Sequence, residues 1–299
     1  MKNCVLIDWL SFTSKIDDVM SIMDLLGFEP SSFQTIDGMY GYHDREYFDG
    51  ISIHYGGRDE VWVEMSGQGC RVFESFGHGD WLRLFAVLMM DESYHITRLD
   101  VAYDDHEGLL DISRIASDCE AGNFVSRWRW WSVTRSSDGI SVYNGSPRSD
   151  ARLRIYDKAA EKGKEEHWIR VELQLRDGRA AEFVRKSLDT PLGELFSGVL
   201  AQYIRYVVRN DNDSNNRRWD TADYWSAFLG DAQRISLYVA PGVEYNFDNL
   251  ERYVVDQAGA AVAAYIRIVG AEEYVAVVEK KLGSSRNPKY SQLIERCKV

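Results

Sequence analysis

Ile169-Arg170-Val171-Glu172-Leu173-Gln174-Leu175-Arg176 alternates apolar and polar residues without a break. A period of two is that of a strand, with Ile169, Val171, Leu173 and Leu175 on one face and Arg170, Glu172, Gln174 and Arg176 on the other. A sheet with one apolar and one polar face is typically antiparallel. Working outward, Ala151–Asp157 places Arg152, Arg154 and Tyr156 on one face against Leu153 and Ile155. Ile96–Asp104 places Arg98, Asp100, Ala102 and Asp104 opposite Leu99, Val101 and Tyr103.

The flanking sequence adds strands at Cys4–Phe12, Trp130–Thr134 and Ile140–Tyr143, and a meander from Tyr40 to Glu74 broken by glycines. In that meander Gly67-Gln68-Gly69-Cys70 reads as a tight turn. Helical spacing marks Lys15–Leu26, Trp81–Met90 and Leu110–Ala121. From Arg179 the period turns helical, over Glu182–Ser187, Leu192–Arg209, Thr221–Gly230 and Asn249–Leu282. The expected fold class is α+β: a mostly antiparallel sheet domain over 1–187, then a helical region over 188–299. No internal sequence repeat is visible.

Composition narrows the function. The chain has 299 residues, 45% hydrophobic and 27% charged, with 5 prolines, which excludes disorder and fibrous folds. Four scattered cysteines indicate free thiols in a reducing compartment. No secretory signal or apolar run of membrane-spanning length is seen, so a cytoplasmic protein without membrane contact is expected. The net charge is −12, which argues against a general nucleic-acid binder. That charge is uneven: residues 1–95 hold 6 Lys/Arg against 16 Asp/Glu, whereas residues 127–179 hold 12 against 8. The central segment can therefore offer a local cationic face.

Three strands with polar faces combine carboxylates, guanidiniums and one tyrosine. Carboxylates on rigid strands suit Mg²⁺ or Mn²⁺. Arginines suit phosphate, and a tyrosine between them can attack a phosphodiester. Cross-strand Arg–Asp and Arg–Glu pairs on a solvated sheet face would write the same pattern. Six histidines show no zinc spacing, and neither a dinucleotide fingerprint nor a P-loop is present. Trp128, Trp130 and Trp131 among Arg127, Arg129 and Arg135 would suit stacking on single-stranded DNA, or equally a half-buried edge strand.

Seven segments in order resemble the replication initiation factor family, the trans-acting rolling-circle initiators and relaxases of plasmids, conjugative elements and filamentous phages. They are Ile7-Asp8-Trp9-Leu10-Ser11-Phe12, Ser66-Gly67-Gln68-Gly69-Cys70-Arg71, Thr97-Arg98-Leu99-Asp100 with Asp104, Tyr143-Asn144-Gly145-Ser146 with Ser149, Arg154-Ile155-Tyr156-Asp157-Lys158, Ile169-Arg170-Val171-Glu172-Leu173-Gln174, and Tyr203-Ile204-Arg205-Tyr206. The resemblance implies a nicking and strand-transfer enzyme with Tyr156 as nucleophile and Arg154 and Lys158 on the scissile phosphate. It implies Mg²⁺ or Mn²⁺ held by Asp100 and Glu172, with Asp104 or Asp8 completing the set. It further implies a catalytic domain over 1–187 and a DNA-recognition or assembly domain over 188–299. The expected partners are the double-strand origin of its own replicon and a host helicase in a bacterial cytoplasm; a homodimer is left open. Arg127, Arg129, Arg148, Arg152, Arg217 and Arg218 are the expected DNA contacts. A hydrolytic metal nuclease and a non-catalytic origin-binding protein are the alternatives.

Overall fold

The computed structural model describes residues 4–230, 235–237, 254–255 and 259–284. The chain divides into two compact units, residues 1–239 and 240–299. The first unit is built on one antiparallel sheet of ten strands: β1 (Cys4–Ser14), β2 (Gln34–Asp37), β3 (Asp44–Phe48), β4 (Ile51–Tyr55), β5 (Val61–Met65), β6 (Tyr94–Asp105), β8 (Trp131–Ser136), β9 (Gly139–Asn144), β10 (Ala151–Asp157) and β11 (Ile169–Arg176). A separate ribbon pairs β7 (Phe124–Ser126) with β12 (Ile204–Tyr206). The α+β architecture expected from the sequence is the one observed.

Strand order across the sheet is β2-β3-β4-β5-β1-β6-β11-β10-β9-β8. It reads the same from either edge once β1–β5 are matched to β6 and β8–β11. Helices follow the same scheme: α1 (Val19–Leu26), α2 (Gly67–Phe76) and α3 (Trp81–Met90) answer to α4 (Ile112–Glu120), α6 (Asp177–Ser187) and α7 (Leu192–Tyr203). The topology is thus duplicated about the β1–β6 pair, although the sequence shows no repeat beyond Val63-Glu64-Met65 against Val171-Glu172-Leu173. Packing repeats as well: α2 lies on β1 and α6 on β6, while α3 reaches across to β6 and α7 to β1.

The apolar strand face meets these helices in a continuous core that includes Ile7, Leu10, Phe12, Leu99, Val101, Leu153, Ile155, Val171 and Leu173. Asp18, Ser66, Asp80 and Asp111 cap four of the helices through side-chain oxygens, each cap contributing about 1 kcal/mol.

Three sequence expectations are corrected. Gly67-Gln68-Gly69-Cys70 starts α2 instead of forming a turn within the meander, with the Ser66 hydroxyl accepting from Gly69 N–H. Glycine is needed at 69 because a Cβ there would lie 2.3 Å from the Gly50 carbonyl oxygen. The helix expected over Leu192–Arg209 stops at Tyr203, where Ile204-Arg205-Tyr206 leaves to pair with β7. Within Asn249–Leu282 the described helices are Gly259–Val269 and Ala271–Ser284, separated at Gly270 with φ of 93°; residues 249–253 and 256–258 lie outside the described residues.

The first compact unit runs on past residue 187 to Val239. Leu195, Phe196 and Val199 of α7 and Trp225 of α8 (Asp223–Leu229) are fully buried in the core of the sheet unit.

Candidate active site and nucleic-acid interface

The polar strand face is assembled by cross-strand register. Arg154 stands opposite Glu172, Tyr156 opposite Arg170, Arg170 opposite Asp104, and Gln174 opposite Asp100. The three polar faces read from the sequence are therefore one surface. A bulge in β1 between Ile7 and Trp9 leaves Asp8 without a partner across the strand, which lets Asp8 turn toward Arg170.

Tyr156 is the centre of this surface and is only 2% exposed. Its hydroxyl donates to Glu172 Oε2 at 3.2 Å. The Arg154 guanidinium lies 3.6 Å from the ring centroid and the Lys158 ammonium 5.3 Å. Both cations also bind Glu161, Arg154 at 3.3 Å and Lys158 more closely. Burial, then the Glu172 charge, hold the phenol well above its ordinary range, against the pull of Arg170 and Arg154. Burial also pushes Glu172 up to about 7, with the charges of Asp100 and Asp8 adding to the effect. A carboxylate poised near neutrality and bonded to a phenol is a competent proton acceptor.

Tyr143 of β9 stands across from Arg154 on the same surface and is half-buried. The Arg152 guanidinium lies 4.5 Å from its ring centroid and that of Arg154 5.7 Å.

The carboxylates expected to bind metal fall into two groups. Asp104 is held by Arg170 through two bonds of 2.7 Å and takes a third from Trp168 Nε1 at 2.7 Å. Asp100 is clasped by Arg98 at 2.9 and 2.5 Å. Burial raises Asp100, Arg98 lowers it, and Asp8 raises it again. Among the described residues no group of three or more His, Cys, Asp or Glu side chains is disposed to hold a metal. Asp8 and Asp100 both raise the proton affinity of Glu172, while Arg170 bonds Asp8 and Arg98 bonds Asp100. Asp104 is already neutralised by Arg170.

The expected DNA contacts are distributed differently. Arg127 and Arg148 meet at a cleft of about 490 Å³ with Arg179, Gln202 and Tyr203. Arg127 also borders a second cleft, of about 400 Å³, with Arg205 and Arg217. Arg152 belongs to the tyrosine surface. Arg129 is exposed, and Arg218 is bound bidentately by Asp213 at 2.7 and 2.6 Å. Trp128 stacks on Tyr203 at 4.7 Å and donates to the Ala151 carbonyl, so it serves the fold, whereas Trp130 and Trp131 remain 42% and 38% exposed. The Arg170–Asp104 clamp is one of the cross-strand Arg–Asp pairs that the polar faces allowed; sequence reasoning missed Arg98 clasping Asp100 two residues along its own strand.

A single antiparallel sheet bearing tyrosine, arginine and carboxylate on one face defines a scaffold suited to phosphodiester chemistry. Residues 94–278 match the family described as Replication initiation factor, and residues 4–88 match the Rolling Circle replication initiation protein N-terminal domain. The chain belongs to the replication initiation factor family. It is 31% identical over 264 residues to the Bacillus subtilis (strain 168) protein named for a DNA relaxase, NicK, covering 80% of this chain and 74% of that one. The solved structure of a rolling circle replication initiator protein from Geobacillus stearothermophilus superposes with a TM-score of 0.73 at 32% identity, over 80% of this chain and all of that one.

Proposed function

We propose that this chain nicks and rejoins one DNA strand at the double-strand origin of its own replicon through a 5′-phosphotyrosine intermediate. The observation that carries the reading is the Tyr156 hydroxyl bonded to a near-neutral Glu172 beside Arg154. In the cleavage step the tyrosine oxygen bonds to phosphorus as its proton passes to Glu172, and the bond to the 3′-oxygen breaks, that oxygen taking a proton from water to become a 3′-hydroxyl. Arg154 and Lys158 balance the charge of the phosphorane oxygens. Rejoining runs the same path in reverse, with a 3′-hydroxyl as nucleophile. A bound Mg²⁺ or Mn²⁺ at Asp8, Asp100 and Glu172 would polarise the scissile phosphate. Arg127, Arg148 and Arg217 would carry the flanking backbone, with residues 188–299 contributing to recognition and assembly, and the exposed 3′ end would receive a helicase.

One observation favours a second reading within the same chemistry. Tyr156 is almost fully covered, whereas Tyr143 is accessible beside Arg152 and Arg154. In that reading Tyr143 attacks and Tyr156 orients Glu172. Incubation with the supercoiled replicon and Mn²⁺, followed by peptide mapping of a detergent-resistant adduct, separates the two. Strand cleavage without any adduct would instead support a hydrolytic nuclease, and binding without cleavage an origin-binding protein.

A further inference from the structure

In the duplicated sheet, Glu64 of β5 holds the place of Glu172, since each is the second residue of the matching Val-Glu-(Met/Leu) strand. Ser52 then answers to Arg154, and His54 to Tyr156, because these stand at corresponding register positions. The first half has thus put aromatic rings where the second half keeps a tyrosine and cations. His54 stacks on Trp62 with centroids 4.5 Å apart and planes 24° apart. Tyr42 runs nearly parallel to Trp62 at 6.2 Å, and Tyr40 meets Trp62 edge-on at 5.4 Å.

Tyr40, Tyr42 and Trp62 wall a cleft of about 320 Å³ completed by Thr13, Thr97, Arg58 and Glu60; His54 backs Trp62 from within the core. Tyr40 is 67% exposed and adopts φ of 56°, a left-handed conformation that is unusual for an aromatic residue. Arg58 holds it there by donating to its carbonyl at 2.6 Å. Glu60 accepts from the Tyr42 hydroxyl at 3.2 Å and is itself half-buried. The cleft shares its face with the tyrosine site: Thr97 bonds Ser11 at 2.8 Å, Ser11 pairs with Arg98, and Arg98 lies 4.2 Å over Trp9 and clasps Asp100. From strand spacing and rise, Tyr156 and the cleft lie about 30–35 Å apart along this face, a span of several nucleotides.

We infer that this cleft is a nucleobase subsite that takes one unpaired guanine from the single strand engaged at the tyrosine site; the inference rests on the nicking reading above. Aromatic walls stack on any base. Selectivity comes from Glu60, an acceptor that guanine alone can meet with two donors, N1–H and the N2 amine. The surrounding first 95 residues carry a large acidic excess, so the affinity here comes from the base and not from phosphate. The Arg58 guanidinium, 5.0 Å over the Tyr42 ring, already supplies the cation that an alkylammonium would bring, and leaves the exposed Tyr40 as the ring offered to the base.

The test uses the full chain in chelator, so that no strand is cut, and fluorescence anisotropy of a labelled single-stranded ten-nucleotide dT probe. The probe carries one central dG, one central inosine, or neither. The dG probe is expected to bind about tenfold tighter than the other two, because inosine lacks the N2 amine. Tyr40→Ala, at an exposed position, loses that advantage, Tyr40→Phe keeps it, and Glu60→Gln abolishes the dG–inosine difference without weakening the all-dT probe. Equal affinity of the wild-type chain for all three probes, or displacement of the dG probe by tetramethylammonium, overturns the subsite. A chain that discriminates dG yet never nicks leaves the subsite standing and removes only the nicking reading; a chain that nicks without discrimination removes only the subsite.

Discussion

Replacing Arg170 by methionine keeps the unbranched apolar stem of the side chain and removes its charged head. In the folded chain Arg170 makes three charge-assisted bonds of 2.7 Å, two to Asp104 and one to Asp8, with its side chain 8% exposed and that of Asp104 6% exposed. Burial alone would lower the guanidinium's proton affinity; the bonds to Asp104 and the charge of Asp8 more than reverse this. Deleting one partner of such a buried pair costs about 3–5 kcal/mol, because the remaining charge stays desolvated. The lower part of that range applies here: Asp104 keeps its bond from Trp168, and Asp8, 20% exposed, can turn to water. At about 2–4 °C per kcal/mol, the thermal midpoint should fall by roughly 10 °C. The double variant Arg170→Met/Asp104→Asn should recover about half of the loss, since asparagine can still accept from Trp168 and carries no charge. Scanning calorimetry of wild type, Arg170→Met, Asp104→Asn and the double variant checks this. A midpoint within 2 °C of wild type for Arg170→Met, or a double variant as unstable as the two single losses added (roughly, by additivity), would refute the buried ion pair as the brace between β6 and β11.

Tyr156→Phe should abolish the covalent adduct with the fold and DNA affinity intact; an adduct that survives there and disappears in Tyr143→Phe transfers the nucleophile to β9. Glu172→Gln should abolish nicking while leaving the metal-free chain as stable or more so. The sign follows from the raised pKa: with Glu172 at about 7 folded and at its ordinary 4.5 unfolded, the folded chain holds the extra proton between those values. Stability therefore falls as pH climbs through that window, by up to about 3 kcal/mol, and the glutamine variant, assayed by urea unfolding in chelator, should show a flatter profile. His54 works at the acid end: burial, aided by the Arg45 charge, lowers it to about 4, so stability should drop as pH falls from about 6.5 toward 4, and His54→Phe should remove that drop in the same assay. Arg127→Ala/Arg148→Ala should flatten the salt dependence of duplex binding by about two units of slope, at 0.9 per phosphate contact, whereas Arg217→Ala/Arg218→Ala should flatten it by only about one, since Arg218 is engaged by Asp213; equal slopes in both would contradict the assignment.

The central strands were legible because alternation is a local property: Arg154, Glu172 and Asp100 declare their face within a few residues of sequence. The start of α2 was not, because Gly67 and Gly69 look like turn residues until Asp8 is known to press on the first and Gly50 on the second. The strand at Ile204–Tyr206 was hidden for a related reason: its partner, Phe124–Ser126, lies far away in sequence, and the preceding helix supplies an apolar period that runs on through it. In the site, residue identity was readable but pairing was not. Arg170 choosing Asp104 over Glu172 depends on strand register, and Asp8 joins the face only through a bulge, hinted at by the three-residue step from Ile7 to Leu10, both buried, inside a strand.

The crossed helices of the duplicated sheet bear on how the molecule can be divided. Because α3 of the first half rests on β6 and α7 of the second rests on β1, each half borrows part of its roof from the other, in the manner of two hands clasped. Truncation at Ser187 would remove α7 and uncover Ile7 and its neighbours on β1, so the strands and all the residues of the tyrosine surface would be present in a fragment that cannot close its own core. The compact unit runs on to Val239, with Leu237 in its core, and any transplant of the tyrosine surface to another protein must carry the clasp along with it.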